Sequence, residues 1–434
     1  MTQEPAGNKA YDPSAITSAA GGASMADSTG AFIWLIVILL LPVAVLNYLD
    51  RQMMAAMKSS IMQDVPSIAI EANWGLLLAS FKWVYAGLSP FGGYVADRFS
   101  RRWIIGLSLL VWSAVTWLTG HVTTYEQLLV SRALMGISEA CYIPAALALI
   151  ADFHSTRTRS RAVGMHQMAI YIGMILGGFS GFAADAPNVG WRMAFTIAGV
   201  VGVVYAFPLM MLLRDAPRGV TMDGQVVQHR PSPLQALQEL LGNPSFLLLV
   251  AYFTLPAIAG WVVKDWMPAI LKDRFALGQG VAGVSATLYV NLAALTGAIC
   301  GGWLADLWMR RTMRGRINVS ALGMLLIVPA LLGIGYAGSL AAAVGFLIVF
   351  GLGWGFFDCN NMPILSQIAK PQLRATGYGI MNFVSISCGG FADWIYGWCR
   401  DNQLGDNVFF GVVAMATLLS AGLVLLIRPK PALG

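Results

Sequence analysis

The chain has 434 residues, 57% of them hydrophobic and only 11% charged, with a formal net charge of +6 at pH 7. A typical soluble domain is about 25% charged, so a water-soluble globular protein is excluded. The basic excess does not imply nucleic acid either, because the Lys and Arg residues sort to one side of a membrane.

In chain order, residues 1–29 are rich in Gly, Ser, Ala and Thr and lack the basic, apolar, small-residue succession of a signal peptide. They read as a disordered cytoplasmic tail, so the first span is retained. Twelve apolar runs follow, each close to the ~20 residues that a helix needs to cross a bilayer. They cover 31–57, 72–96, 103–120, 126–152, 161–184, 191–213, 245–271, 281–306, 317–337, 340–366, 373–398 and 407–428. The expectation is an all-α membrane protein of two six-helix bundles, 30–213 and 245–430, joined by a cytoplasmic linker over 214–244. Within that linker Ser232 can cap a helix that Pro233 opens. Leu234, Leu237 and Leu241 then share one face, as in a helix lying at the membrane interface.

With the N-terminus inside, the inner segments hold Arg98, Arg101, Arg102, Arg159, Arg161, Arg310, Arg311, Arg314, Arg316, Lys370 and Arg374, among others. The outer loops hold only Lys58, Arg192, Lys272, Arg274 and Arg400. This positive-inside asymmetry predicts that both termini are cytoplasmic. The five cysteines lie in apolar helices without CxxC spacing and read as small hydrophobes, and no histidine cluster suggests a metal. His166 is the one histidine expected inside the membrane.

GGYVADRFSRR (Gly92 to Arg102) returns as GGWLADLWMRR (Gly301 to Arg311). Glu139 precedes Pro144 by five residues in span 4, as Asp358 precedes Pro363 in span 10, and Gly177-Gly178-Phe179 returns as Gly389-Gly390-Phe391. Corresponding spans are six apart, so the halves are parallel repeats, an architecture of carriers. The chain resembles the major facilitator superfamily on these motifs. That resemblance implies two bundles rocking about a central site, with Asp97, Arg98, Arg101, Arg102, Asp306, Arg310 and Arg311 forming a cytoplasmic gate.

An ionised side chain near mid-bilayer costs on the order of 2.5–3.5 kcal/mol and is a functional candidate by default. The first half has Asp50, Arg51, Lys82, Arg132 and Glu139. Arg132 and Glu139 share a face but lie two turns apart, so Arg132 is expected to swing between Asp50 and Glu139 and to couple protonation to movement. The segments Asn47 to Arg51, Phe81 to Tyr85, Arg132 to Ala140 and Asp265 to Pro268 are similar to the anion:cation symporter branch of the superfamily. Within that branch the positions of Asp50 and Glu139 carry protons, that of Arg132 links them, and those of Tyr48, Arg51 and Tyr85 serve an organic anion. The Asn47-x-x-Asp50-Arg51 and GxxEA pattern is shared with Spinster-type lipid carriers. Lys82 and Tyr142-Ile143 depart from the branch.

Three cations against two carboxylates in this half favour an anionic cargo, with Lys82 and Arg51 as its ligands. The second half offers Asn291, Asp358, Asn361 and Asn382, suited to hydroxyls. The expected function is proton-coupled import of a sugar acid or other small carboxylate across a bacterial inner membrane. Such a carrier is expected to act as a monomer, with the proton gradient in place of a cofactor, no metal and no enzymatic step. A Spinster-like lipid carrier or exporter is the alternative.

Overall fold

Proline and glycine placement decides where these helices break and how closely they approach. The computed structural model describes residues 30–215 and 232–429. The expected tail, most of the linker and the side chain of Asp97 lie outside the described residues. The first bundle comprises α1 (Gly30–Ala56), a short α2 (Lys58–Asp64), α3 (Glu71–Arg98), α4 (Arg101–Thr119), α5 (Tyr125–Glu139), α6 (Tyr142–Phe153), α7 (Thr156–Asp185) and α8 (Gly190–Leu212). The linker helix is α9 (Pro233–Leu241). The second bundle comprises α10 (Pro244–Phe275), α11 (Gln279–Met309), α12 (Gly315–Tyr336), α13 (Leu340–Asp358), α14 (Asn361–Ile368), α15 (Arg374–Asp401) and α16 (Asp406–Leu426).

Ten described helical segments are long and apolar enough to cross a membrane. The helices α3 and α15 complete twelve. Each has 28 residues, about 42 Å at the α-helical rise, and holds a buried charge, Lys82 in α3 and Asp393 in α15. These two spans pack on each other across the bundles, which keeps those two charges from lipid. Their repeat-related counterparts, α11 and α7, make the other main contact between the bundles.

Spans 4 and 10 depart from the expectation of continuous helices. Each breaks after its acidic residue, α5 ending at Glu139 and α13 at Asp358. The cause is Pro144 and Pro363, whose rings exclude helical bonding to the carbonyls four residues earlier, at Ala140 and Cys359. The repeated glycines pack on these breaks. A Cβ on Gly92 would collide with the Ala140 carbonyl, and one on Gly301 would crowd Phe356 and Cys359.

The linker helix begins as expected. Ser232 and Gln235 form a reciprocal capping box with Pro233 in the first turn. Ala236 and Leu240 bury against the second bundle, Glu239 pairs with Lys370 at 2.7 Å, and Leu234, Leu237 and Leu241 stay exposed.

Candidate functional site

Six helices bring charge into the seam between the bundles. From α1, Asp50 is buried and accepts a hydrogen bond from Thr116 Oγ1 of α4, while Arg132 Nη2 of α5 lies 3.5 Å from its Oδ1. Arg51, the next residue, points another way. Its Nε donates to Glu139 Oε2 at 2.8 Å, and its guanidinium lies over the rings of Tyr48, Phe81 and Tyr85 at 4.8, 4.6 and 5.0 Å. Cation–π contact of this kind contributes about 0.5–2 kcal/mol per ring face. It fixes the guanidinium while leaving its planar edge free to hydrogen-bond.

The expected swing of Arg132 between two carboxylates is corrected here. Arg132 meets Asp50, and the cation on Glu139 is Arg51. The two turns separating Arg132 from Glu139 leave that carboxylate to a side chain arriving from α1. Glu139 is fully buried and its Oε1 has no hydrogen-bond partner, so Arg51 is its main compensation.

Lys82 is likewise not a free anion ligand. Its ammonium is held by both Asp265 and Asp393, buried residues of α10 and α15. Those two aspartates lie inside the seam because α3, α10 and α15 meet there.

A cavity beside these groups is lined by Tyr48, Arg51, Gln52, Phe81, Lys82, Arg132, Trp261, Lys264 and Asp265, with Leu78 and Met174. Lys264 stands 4.7 Å over the Trp261 ring and within electrostatic reach of Asp358. Asp358 in turn stands among Tyr48, Tyr171 and Tyr378, with Asn382 beside Tyr378. Asn361 is buried with neither amide atom bonded, whereas Asn291 donates to Thr287 O one turn back in its own helix. His166 is buried against Tyr142, its Nε2 2.9 Å from the phenol oxygen. The sequence reading missed Thr116, Trp261, Tyr171 and Lys264. For Lys264 the signal was present, since it lies twenty residues into the 32-residue α10, too deep for the membrane surface.

The described contacts of the repeated basic motifs stay within their own bundles. Arg101 pairs with Asp152, Arg102 Nε donates to Met210 O at 2.5 Å, and Arg316 lies 3.7 Å from Asp306. Arg98 donates to Tyr94 at 2.8 Å, and Arg310 and Arg311 are exposed. Contacts between bundles gather at the opposite face, which carries the ends of α1 and α7 and the starts of α3 and α11. There the Glu71 and Ala72 N–H groups both donate to Asp401 at 2.8 Å. Gly280 N–H donates to Asp185 at 3.0 Å, and Ser60 N–H to Gln279 Oε1 at 3.1 Å.

Two six-helix repeats with a charge-paired cavity at their seam have the build of a membrane transporter. The model of the Major Facilitator Superfamily matches residues 40–392, and the chain belongs to that superfamily. It is 28% identical over 386 residues to Protein spinster of Drosophila melanogaster, covering 84% of this chain but 61% of the fly protein's length. It is 26% identical over 381 residues to an MFS-type efflux pump of Mycolicibacterium smegmatis, covering 86% of each. With the Sphingosine-1-phosphate transporter SPNS2 of Mus musculus it shares 27% identity over 399 residues, 86% of this chain and 72% of that protein. A bacterial homolog of the human lysosomal transporter Spinster, inward-facing and unoccupied, superposes with a TM-score of 0.75 at 20% identity, covering 93% of this chain and all of that one. The D-xylose-proton symporter gives 0.71 at 16% identity, covering 92% and 98%.

Proposed function

We propose that this protein is a proton-coupled carrier of amphipathic organic anions, lipid-like in build, working by alternating access in a bacterial inner membrane with both termini cytoplasmic. It acts as a monomer and draws on the proton gradient, without a cofactor and without a catalytic step. The similarity to spinster proteins and SPNS2 over 84–86% of the chain favours this reading over the sugar-acid import that charge counting first suggested.

The observation that carries it is the pairing of charge with an apolar wall. Beside its charged groups the cavity is lined by Tyr48, Leu78, Phe81 and Met174 of the first bundle and Trp261 of the second. A hydrocarbon body buried on such a surface gains about 25 cal/mol per Å², a gain that a fully hydroxylated acid forgoes. The engagement of Lys82 by Asp265 and Asp393 also leaves fewer cations for a small polar acid.

Coupling follows from competition for Arg51. While Glu139 is ionised it occupies the guanidinium. A proton on Glu139 weakens that bond, and the freed fork can take a carboxylate or phosphate by two-point binding. Proton and anion are then bound together, which is symport. Asp50 and Arg132 form a second pair, which Thr116 steadies. The motif residues Asp97, Arg98, Arg101, Arg102, Asp306, Arg310 and Arg311 are proposed to meet across the bundles when the cytoplasmic side closes. The test is uptake of a labelled lysophospholipid into proteoliposomes with the inside made alkaline. Competition by unlabelled lysophospholipid and none by gluconate supports the reading. Competition by gluconate alone overturns it in favour of sugar-acid import.

A further inference from the structure

Lys82 belongs to α3 in the first bundle, and both carboxylates on its ammonium belong to the second. Asp265 comes from α10 and Asp393 from α15, each bonding through Oδ2. The triad therefore straddles the seam and exists only while the bundles are together at this level. Lys82 and Asp393 are 3% and 0% exposed, Asp265 9%.

Its charges do not balance within the triad, which sets one ammonium against two carboxylates. The nearest second cation is Lys264, next to Asp265 and over the same Trp261 ring as Lys82. It lies within electrostatic reach of both Asp265 and Asp358 but makes no ion pair within 4 Å among the described residues, so its charge is divided between them. Arg51 of α1 is taken by Glu139. Beyond the triad toward the far face, Lys58 pairs with Glu71, and Arg400 with Glu71 and Asp273. Trp266 lies beside Asp393, and its indole N–H is the one donor near that carboxylate apart from Lys82. It stands outside hydrogen-bond geometry, so Asp393 Oδ1 is left buried without a bonded donor. Two carboxylates sharing one site resist ionising together, and a buried acceptor without a donor costs about 1–3 kcal/mol, more for a charged group. One proton on Asp393 removes the surplus charge and puts an O–H on the oxygen that lacks a bonded donor.

We propose that Lys82, Asp265 and Asp393 form a proton-binding latch, so that the bundles close at the far face only with one proton held on Asp393. Closing takes a proton from solvent onto a carboxylate oxygen, and opening hydrates both carboxylates and returns it. Acid therefore favours closure at this face, whatever the cargo and whatever the state of Glu139.

The test uses full-length protein in lipid nanodiscs without cargo. Spin labels are placed at Gln63 and Leu404, both exposed at the far face on opposite bundles, with the native cysteines replaced. The closed, short-distance population should rise as pH falls from about 8.5 to about 5.5, by up to about tenfold per pH unit for a one-proton site. The Glu139→Gln variant should keep this slope, which separates the latch from the coupling proposed at Arg51. Asp393→Asn, neutral and of the same shape, should lose the slope and stay closed throughout, and Asp265→Asn, measured alongside, should do the same. Lys82→Met should favour the open form at every pH. A flat profile in Glu139→Gln, or an unaltered slope in both asparagine variants, overturns the proposal.

Discussion

Arg51 illustrates what a residue's type reveals and what only its partners can. Its charge inside the membrane was legible in the sequence, but its engagement by Glu139 was not. Nothing in the spacing of α1 and α5 states which of two neighbouring acids a side chain reaches. The pair leads to a prediction. Arg51→Met strands a buried carboxylate, which costs about 3–5 kcal/mol when one partner of a buried pair is removed, and should lower the melting temperature. Adding Glu139→Gln should recover most of that loss, because no charge is then left uncompensated, yet acid-driven accumulation should stay absent. A double variant as unstable as the single one, in thermal melts in detergent, would show that the two side chains do not compensate each other. Outside the spans, His154 gives a pH prediction. It is 1% exposed at the end of α6, its ring 4.9 Å from that of Trp34, and burial holds its imidazole below the ordinary histidine range. The unfolded chain thus binds the proton more readily than the folded one. Its contribution to stability is full above about pH 6.5 and is lost as pH falls below it. His154→Phe should flatten the melting temperature across that window relative to wild type.

At the scale of elements, the twelve spans could be read from hydropathy because lipid demands long apolar helices, and most of their ends fall within a few residues of the structure. The breaks in spans 4 and 10 could have been read as well, since Pro144 and Pro363 stand five residues after Glu139 and Asp358. They were missed because an apolar run resumes beyond each break, from Tyr142 in span 4 and from Met362 in span 10. The repeated glycine pair posed a subtler problem. In sequence its members look alike, but packing separates them. Gly92 and Gly301 sit against the broken spans, whereas Gly302 has nothing within 4 Å of where a Cβ would stand. Gly92→Ala should therefore destabilise the first bundle by about 1–3 kcal/mol, the usual cost of overpacking. Gly302→Ala should stay within about 0.5 kcal/mol of wild type, as a substitution with free space around it does. Equal melting shifts for the two would show that the conserved look of the pair in the repeat, rather than its contacts, determines its role.

For the whole molecule, the duplication generates a symmetry at the far face that neither half reveals alone. The start of α3 is capped by Asp401 from the end of α15, and the start of α11 by Asp185 from the end of α7. Each carboxylate lies in the opposite bundle from the helix it caps. The first N–H groups of a helix have no partner within it and attract negative charge, so each cap ties the bundles together and is broken when they part. Glycine makes the approach possible, since a Cβ on Gly397 would strike the Glu71 carbonyl and one on Gly181 the backbone of Gln279. Losing a side-chain cap costs about 0.5–2 kcal/mol, which here falls on the closed form alone, because the open form has already surrendered it to water. Asp185→Ala and Asp401→Ala should each lower the closed-to-open ratio by about 2- to 30-fold. The two sites share no partner, so their effects should multiply in the double variant. Distance distributions between labels at Gln63 and Leu404 read the ratio directly. An unchanged distribution in the double variant would mean that the seam is held by its glycine packing and the buried lysine latch, with the caps serving only to end the helices.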